Sequence, residues 1–217
     1  PVFGASPDKN TKEIIANSEN FFEGKFRNIK TTYTNLRTLE RKSTLKEWFF
    51  PPEDKNPLGP LPTIKFKGQD LTEGKFVWFG HSTLLMKTEG LVVMTDPVFN
   101  RASPLPSFSS KSKSSFFNGK PFVFENPILI EDLQKVDVVI ISHDHYDHLD
   151  SKAIKDLSNL VDHFIVPLGV GAHLERWGVN KNKITELDWY ESKSYKDVEF
   201  IFAPALHFSG RGITNGN

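Results

Sequence analysis

Residues 136–148 read VDVVIISHDHYDH, and the two halves of that stretch decide the fold and the chemistry together. The first half, 136–142, is a β-branched run without alternation. That is the pattern of a strand buried on both faces, as in a parallel sheet. The second half places His143, His145, Asp147 and His148 just past the carboxyl end of that strand. Ligand sites in α/β sheets gather at such ends. His143 and His145, two residues apart, can point the same way from an extended segment. Asp147 and His148 follow where the chain turns, so they can face a second metal.

The residue types suit a divalent transition metal. The chain contains no cysteine, which excludes disulfides, thiolate metal sites and cysteine nucleophiles. Imidazole and carboxylate remain, and both serve zinc, manganese or iron. Two such metals roughly 3.5–4 Å apart can clamp a reacting oxygen. They also lower the pKa of bound water towards roughly 7, so no separate strong base is needed. The plain alternative is a His-rich surface turn or helix cap. Three of the seven histidines fall in this one window after a buried strand, and such a cluster is costly without a partner.

Outward from this centre the chain alternates strands with helices, which predicts an α/β layered fold. Upstream, 75–80, 83–88 and 91–95 read as strands, with Glu89-Gly90 as a tight hairpin turn between the last two. Downstream, the pattern predicts a helix over 151–160 capped by Asp150 or Ser151. A strand at 163–166, a helix at 170–177, and strands near 183–187 and 199–203 follow. The Ser-, Pro- and Lys-rich stretch 101–118 reads as a long surface loop. Residues 1–62 differ in character: polar, with prolines at 51, 52, 57, 60 and 62. Short helices are expected near 12–17 and 44–50, the latter ending before Pro51. This segment is read as an extension wrapping a domain formed by 63–217.

Other pieces sharpen the picture: Trp78-Phe79-Gly80-His81-Ser82-Thr83, Thr95-Asp96-Pro97-Val98-Phe99, and Pro204-Ala205-Leu206-His207-Phe208-Ser209-Gly210-Arg211. With His-Asp-His-Tyr-Asp-His at 143–148, they resemble the metallo-β-lactamase-fold hydrolases. The resemblance is to the branch that contains N-acyl-phosphatidylethanolamine-hydrolysing phospholipase D, the ascorbate-phosphate lactonase and bacterial RomA-like proteins. It covers most of the chain, including NFFEGKFRN at 20–28.

That resemblance implies a fold and a ligand set. The fold would be α/β, the N-terminal half of a four-layer αββα sandwich with an N-terminal extension. His143, His145 and His207 would hold one metal, and Asp147 with His148 part of a second. Both metals would be zinc, with manganese or iron as alternatives. Asp147 would also orient the attacking water. Asp96 would hydrogen-bond the metal loop rather than bind metal, or else be a turn residue before Pro97. His81, in the Gly-His-Ser-Thr turn, would contact substrate or support a ligand. Arg211 is read as a partner for a phosphate or carboxylate, or as a solvated loop arginine. His163, taken as the start of a strand, and His173, in a helix, are read as structural.

The family pattern continues past His207 to a bridging aspartate and a final histidine, and neither occurs before Asn217. The expectation is a fragment of a longer enzyme, or one piece of a cleaved or split protein. Half a sandwich leaves a sheet face uncovered, which is an association liability. The chain alone is therefore expected to be inactive, with a C-terminal half or a dimer mate completing it. The parent protein would be a hydrolase using a metal-bound hydroxide, of phosphodiesterase or phospholipase D type, with a lactonase as alternative. A non-catalytic module with an incomplete metal site is the rival from another class.

Composition narrows the partners. Lys+Arg and Asp+Glu are each 27, so the net charge is zero. This gives no electrostatic case for nucleic acid; a small-molecule or lipid substrate is what the resemblance implies. Peripheral membrane association fits a lipid substrate. No apolar run reaches the ~18 residues of a membrane span. The chain opens on Pro1 rather than Met, which leaves room for a removed signal peptide, anchor or tag. The sequence does not fix a compartment, bacterial cytoplasm or cell envelope.

Overall fold

In a computed structural model, residues 2–30, 57–100 and 122–211 are described. The helix expected over 44–50 and the loop expected over 101–118 lie outside them.

The chain builds one six-stranded sheet. Phe76–Gly80 (β3), Thr83–Thr88 (β4) and Leu91–Thr95 (β5) form an antiparallel meander. Val136–Ile140 (β6), Val161–Pro167 (β7) and Ile184–Leu187 (β8) then add parallel strands in the order β3-β4-β5-β6-β7-β8. The crossovers carry the helices Ser151–Leu157 (α2) and Gly171–Arg176 (α3). Asp150 caps α2 by accepting from the amides of Lys152 and Ala153. The Glu89-Gly90 turn has both residues in the left-handed region, φ 48° and 73°. This is the geometry that a two-residue hairpin requires.

The buried run at β6 is apolar on both faces for a visible reason: Val138 and Val139 point opposite ways, and both are fully buried. Val139 joins Met94, Phe164, Leu157 and Leu174 in the core beneath α2 and α3. Val138 joins Leu91, Val93, Ile165 and Leu187 on the opposite face. A hairpin of Ser192–Tyr195 (β9) and Val198–Ile201 (β10) covers part of that second face with Tyr195, Val198 and Phe200. The second face is thus not bare, although Phe76 and Trp78 on β3 stay exposed. Only the later strand of this hairpin is visible in the sequence pattern. The polar Ser192-Lys193-Ser194 run gives no apolar alternation.

The N-terminal segment lies against the α3–β8 side. Helix Lys9–Asn17 (α1) is capped by Asp8, and Phe21–Phe22 (β1) pairs with Lys25–Phe26 (β2). Asp188, just after β8, accepts from the side chains of Ser18 and Asn20. Asp8 pairs with Lys181 at 2.8 Å. His163 is the third residue of β7 rather than its first. It bonds Thr185 Oγ1 at 2.8 Å and stacks on Tyr195.

Candidate metal centre

The carboxyl ends of β5 and β6 lie side by side, and the site grows from that edge. Asp96 follows β5 with φ 37° and is nearly fully buried. Thr83 Oγ1 donates to its carbonyl at 2.7 Å. Its carboxylate faces the loop after β6. There it accepts from the Ser142 amide at 2.7 Å and the Ser142 hydroxyl at 2.7 Å, and contacts His148 Nδ1 at 2.8 Å. Asp96 therefore orients the loop. With Nδ1 engaged, His148 presents Nε2 outward.

Six residues in this region form two groups that could each hold a metal ion. In the first, His207 Nε2 lies 3.0 Å from His143 Nε2 and 3.3 Å from His145 Nδ1. In the second, Asp147 Oδ2 lies 3.0 Å from His81 Nε2 and 3.9 Å from His148 Nε2. The groups adjoin, since the rings of His143 and His148 are 4.0 Å apart. Four donors at ~2.1 Å around a tetrahedral metal stand about 3.4 Å from one another. Both groups match that spacing.

The electrostatics favour the ligand form. Burial pushes the His143 imidazolium down to about 4, helped by the neighbouring rings of His148, His145 and His207. His145 is lowered by burial and then by His207. Neutral imidazole is what a metal requires. Of the three ring nitrogens that converge at 3.0 and 3.3 Å, one N–H can at best be shared between the other two, so they are poorly satisfied among themselves. A cation satisfies all three. At Asp147, burial alone would raise the carboxyl. Its own amide and the rings of His148 and His81 outweigh that and hold it below the usual range.

His207 arrives from the far end of the chain, and its loop is fastened to the metal loop by contacts that the sequence did not reveal. Asp144 accepts from Ser209 Oγ at 2.6 Å. Arg211 donates to the carbonyls of Asp144 and Val2 at 2.8 Å, and also to that of Leu149. Its guanidinium lies 4.3 Å from the Tyr146 ring centroid, and Tyr146 Oη donates to the Arg211 carbonyl at 2.8 Å. At 4% exposed, and with Nε, Nη1 and Nη2 each donating to a backbone carbonyl, Arg211 is not a solvated loop residue. Asn28 Oδ1 accepts from the His207 amide at 3.2 Å, which brings the N-terminal segment to the rim. Gly210 packs so closely on His145 that a Cβ there would lie 2.5 Å from Nε2.

Comparison with known proteins adds a family. Residues 92–217 match the model of the Beta-lactamase superfamily domain. An uncharacterized protein of Mycobacterium tuberculosis is 36% identical over 211 residues, covering 94% of this chain and 53% of its own length. N-acyl-phosphatidylethanolamine-hydrolyzing phospholipase D 1 of Caenorhabditis elegans is 33% identical over 197 residues, 85% of this chain and 52% of that protein. The mitochondrial N-acyl-phosphatidylethanolamine-hydrolyzing phospholipase D of Saccharomyces cerevisiae is 28% identical over 145 residues, 64% and 28% respectively. The chain spans about half the length of the first of these relatives.

Proposed function

This chain belongs to the beta-lactamase superfamily, and from that premise we propose that it carries the metal-binding part of a metal-dependent hydrolase acting on a phospholipid phosphodiester. The observation that carries the reading is the convergence of His143 Nε2, His145 Nδ1 and His207 Nε2 within 3.0 and 3.3 Å. Bound divalent metal, zinc in this proposal, would supply a Lewis acid and a water of lowered pKa. The chain's own residues supply position. Asp96 fixes the loop through Ser142 and His148. Asp147, held ionised, would use its carboxylate to hold metal through one oxygen and to orient the attacking water through the other.

The phosphodiester choice rests on two relatives named for hydrolysing N-acyl-phosphatidylethanolamine. A lipid substrate also fits the rim. Phe22, Phe26 and Ile29 are exposed on the segment whose Asn28 holds His207, and Leu206 is exposed beside it. We take the exposed strip of Phe76 and Trp78 as the seat of a further αβ segment, from the same protein or a second copy. No nucleic-acid partner is invoked.

The test is hydrolysis of N-acyl-phosphatidylethanolamine in mixed micelles, beside bis(p-nitrophenyl) phosphate and a simple lactone. Each is assayed before and after chelation and zinc return. Phosphodiester cleavage that disappears with the chelator and returns with zinc is expected. Faster lactone opening would replace the substrate class. Cleavage indifferent to chelation would overturn the metal reading.

A further inference from the structure

The second ligand group contains a residue from outside the metal loop. His81 lies between β3 and β4, more than sixty residues before His143 in the chain, yet its Nε2 is 3.0 Å from Asp147 Oδ2. Its ring packs edge-on against His148 at 5.0 Å between centroids. The backbone goes out of its way to put it there. His81 has φ 48° and follows Gly80 at φ 104°. A histidine in the left-handed region is uncommon, and strain of this kind clusters at ligand sites. The turn is pinned by Trp78 Nε1, which donates to the His81 carbonyl at 2.9 Å, and by Thr83, whose hydroxyl bonds the Asp96 carbonyl. The edge carrying His81 is thereby tied to the aspartate that orients His148.

The donor atoms fit a cation. His148 Nε2, Asp147 Oδ2 and His81 Nε2 all lie within 4.8 Å of one another. The two measured separations, 3.0 and 3.9 Å, bracket the ~3.4 Å edge of a tetrahedral site. His148 Nδ1 is engaged by Asp96, which leaves Nε2 as the ligand atom. Two imidazoles and one carboxylate are a donor set that suits a divalent transition metal.

We propose that His81 is a direct ligand of a second divalent metal, held with Asp147 and His148, so that the β3–β4 turn is part of the metal centre. This rests on the metal-dependent reading above. It goes beyond that reading by assigning a ligand outside the loop of 143–148.

The test uses the protein loaded with cobalt(II) and compares wild type with His81→Asn, since Asn tolerates positive φ. His81→Ala is a second variant, and circular dichroism melts verify folding. Chelator competition reads both affinities. Proton NMR counts the exchangeable, hyperfine-shifted ring N–H signals, one per bound imidazole. The expected result is two metals in wild type. In both variants the second should weaken about tenfold or more, with one shifted N–H signal fewer and the tighter metal unchanged. Two metals with unchanged affinity in the variants would overturn the proposal. So would a weakened second metal with every shifted signal retained, because His81 would then act only through a hydrogen bond to Asp147. A single metal in wild type, removed by His143→Ala, would overturn this inference and leave the hydrolase reading standing. No metal in wild type would sink both.

Discussion

The two ligand groups sit side by side but are built in opposite ways. His143, His145 and His207 are joined across 64 residues of sequence separation by a loop that the described contacts fasten through Arg211 and Asp144. His81, Asp147 and His148 are set by the sheet ends, with Asp96 as their common brace. The electrostatics differ as well. The first group gathers imidazoles without a carboxylate ligand, so its lone pairs oppose one another. The second contains Asp147, whose Oδ2 lies 3.0 Å from His81 Nε2 and 3.9 Å from His148 Nε2. We expect the first group, whose opposed lone pairs only a cation answers, to be the tighter site.

The largest way to break that contrast is His143→Ala. It removes one of three converging donors and should weaken the tighter metal at least about a hundredfold, since even outer partners of ligands are worth 10–100-fold. Chelator competition followed by metal analysis measures it. Equal loss from both sites would mean that the groups are one.

Arg211→Ala comes next. It strips charged donors from three carbonyls, each costing roughly 1–3 kcal/mol when left unpaired. Unfolding stability in urea should fall by about 3 kcal/mol, and the His207 site should loosen more than the His81 site. Arg211→Lys should not restore stability, because a single ammonium cannot replace the planar fork. Full rescue by lysine would mean that charge alone matters.

Asp96→Asn sharpens the contrast from the other side. The amide cannot accept from the Ser142 amide, the Ser142 hydroxyl and His148 together. Metal at the second group should weaken about 10–100-fold, with less effect on the first. A larger effect on the first group would show that Ser142, which contacts His143 Nδ1 at 2.9 Å, carries the brace instead.

The same contrast governs what was legible in the sequence. The buried strand Val136–Ile140 and the His- and Asp-rich loop at its end were, because a β-branched run followed by repeated His and Asp is a local pattern. The antiparallel meander was too, since Glu89-Gly90 marks its turn. Glu23-Gly24 makes the same kind of turn, with φ 51° and 78°. Its strands are two residues each and give no period, so that hairpin passed unread. Arg211 escaped for a different reason. Its partners are backbone carbonyls of residues far away in sequence, and no side-chain pattern announces a carbonyl. The β9 strand was hidden by its serines and lysine. His81 could be singled out by its turn motif, but its 3.0 Å approach to Asp147 depends on the register of β3 and β4 against the sheet.

The smallest effect concerns His173, the residue that joins the N-terminal segment to the Arg211 side of the site. Its Nδ1 accepts from the Ala5 amide at 3.0 Å, which requires that nitrogen to be unprotonated. The backbone comes in through Gly4 at φ 83°, where a Cβ would lie 2.1 Å from Nδ1. Burial, and then the neighbouring Arg211 charge, lower His173 from its usual 6.5 to about 4. Between those values the unfolded chain takes up a proton that the folded chain refuses, so falling pH favours unfolding. Stability from this group is complete above about pH 7 and declines as pH falls towards 4. From pH 7 to 5.5 the loss should be about 1 kcal/mol. His173→Asn keeps an acceptor for Ala5 and removes the titration. Its urea stability should therefore fall by about 1 kcal/mol less over that interval than wild type, with the depressed His143 and His145 common to both. If the two proteins lose stability in parallel, His173 is not the acceptor that docks the N-terminus, and the pH dependence belongs to the ligand histidines alone.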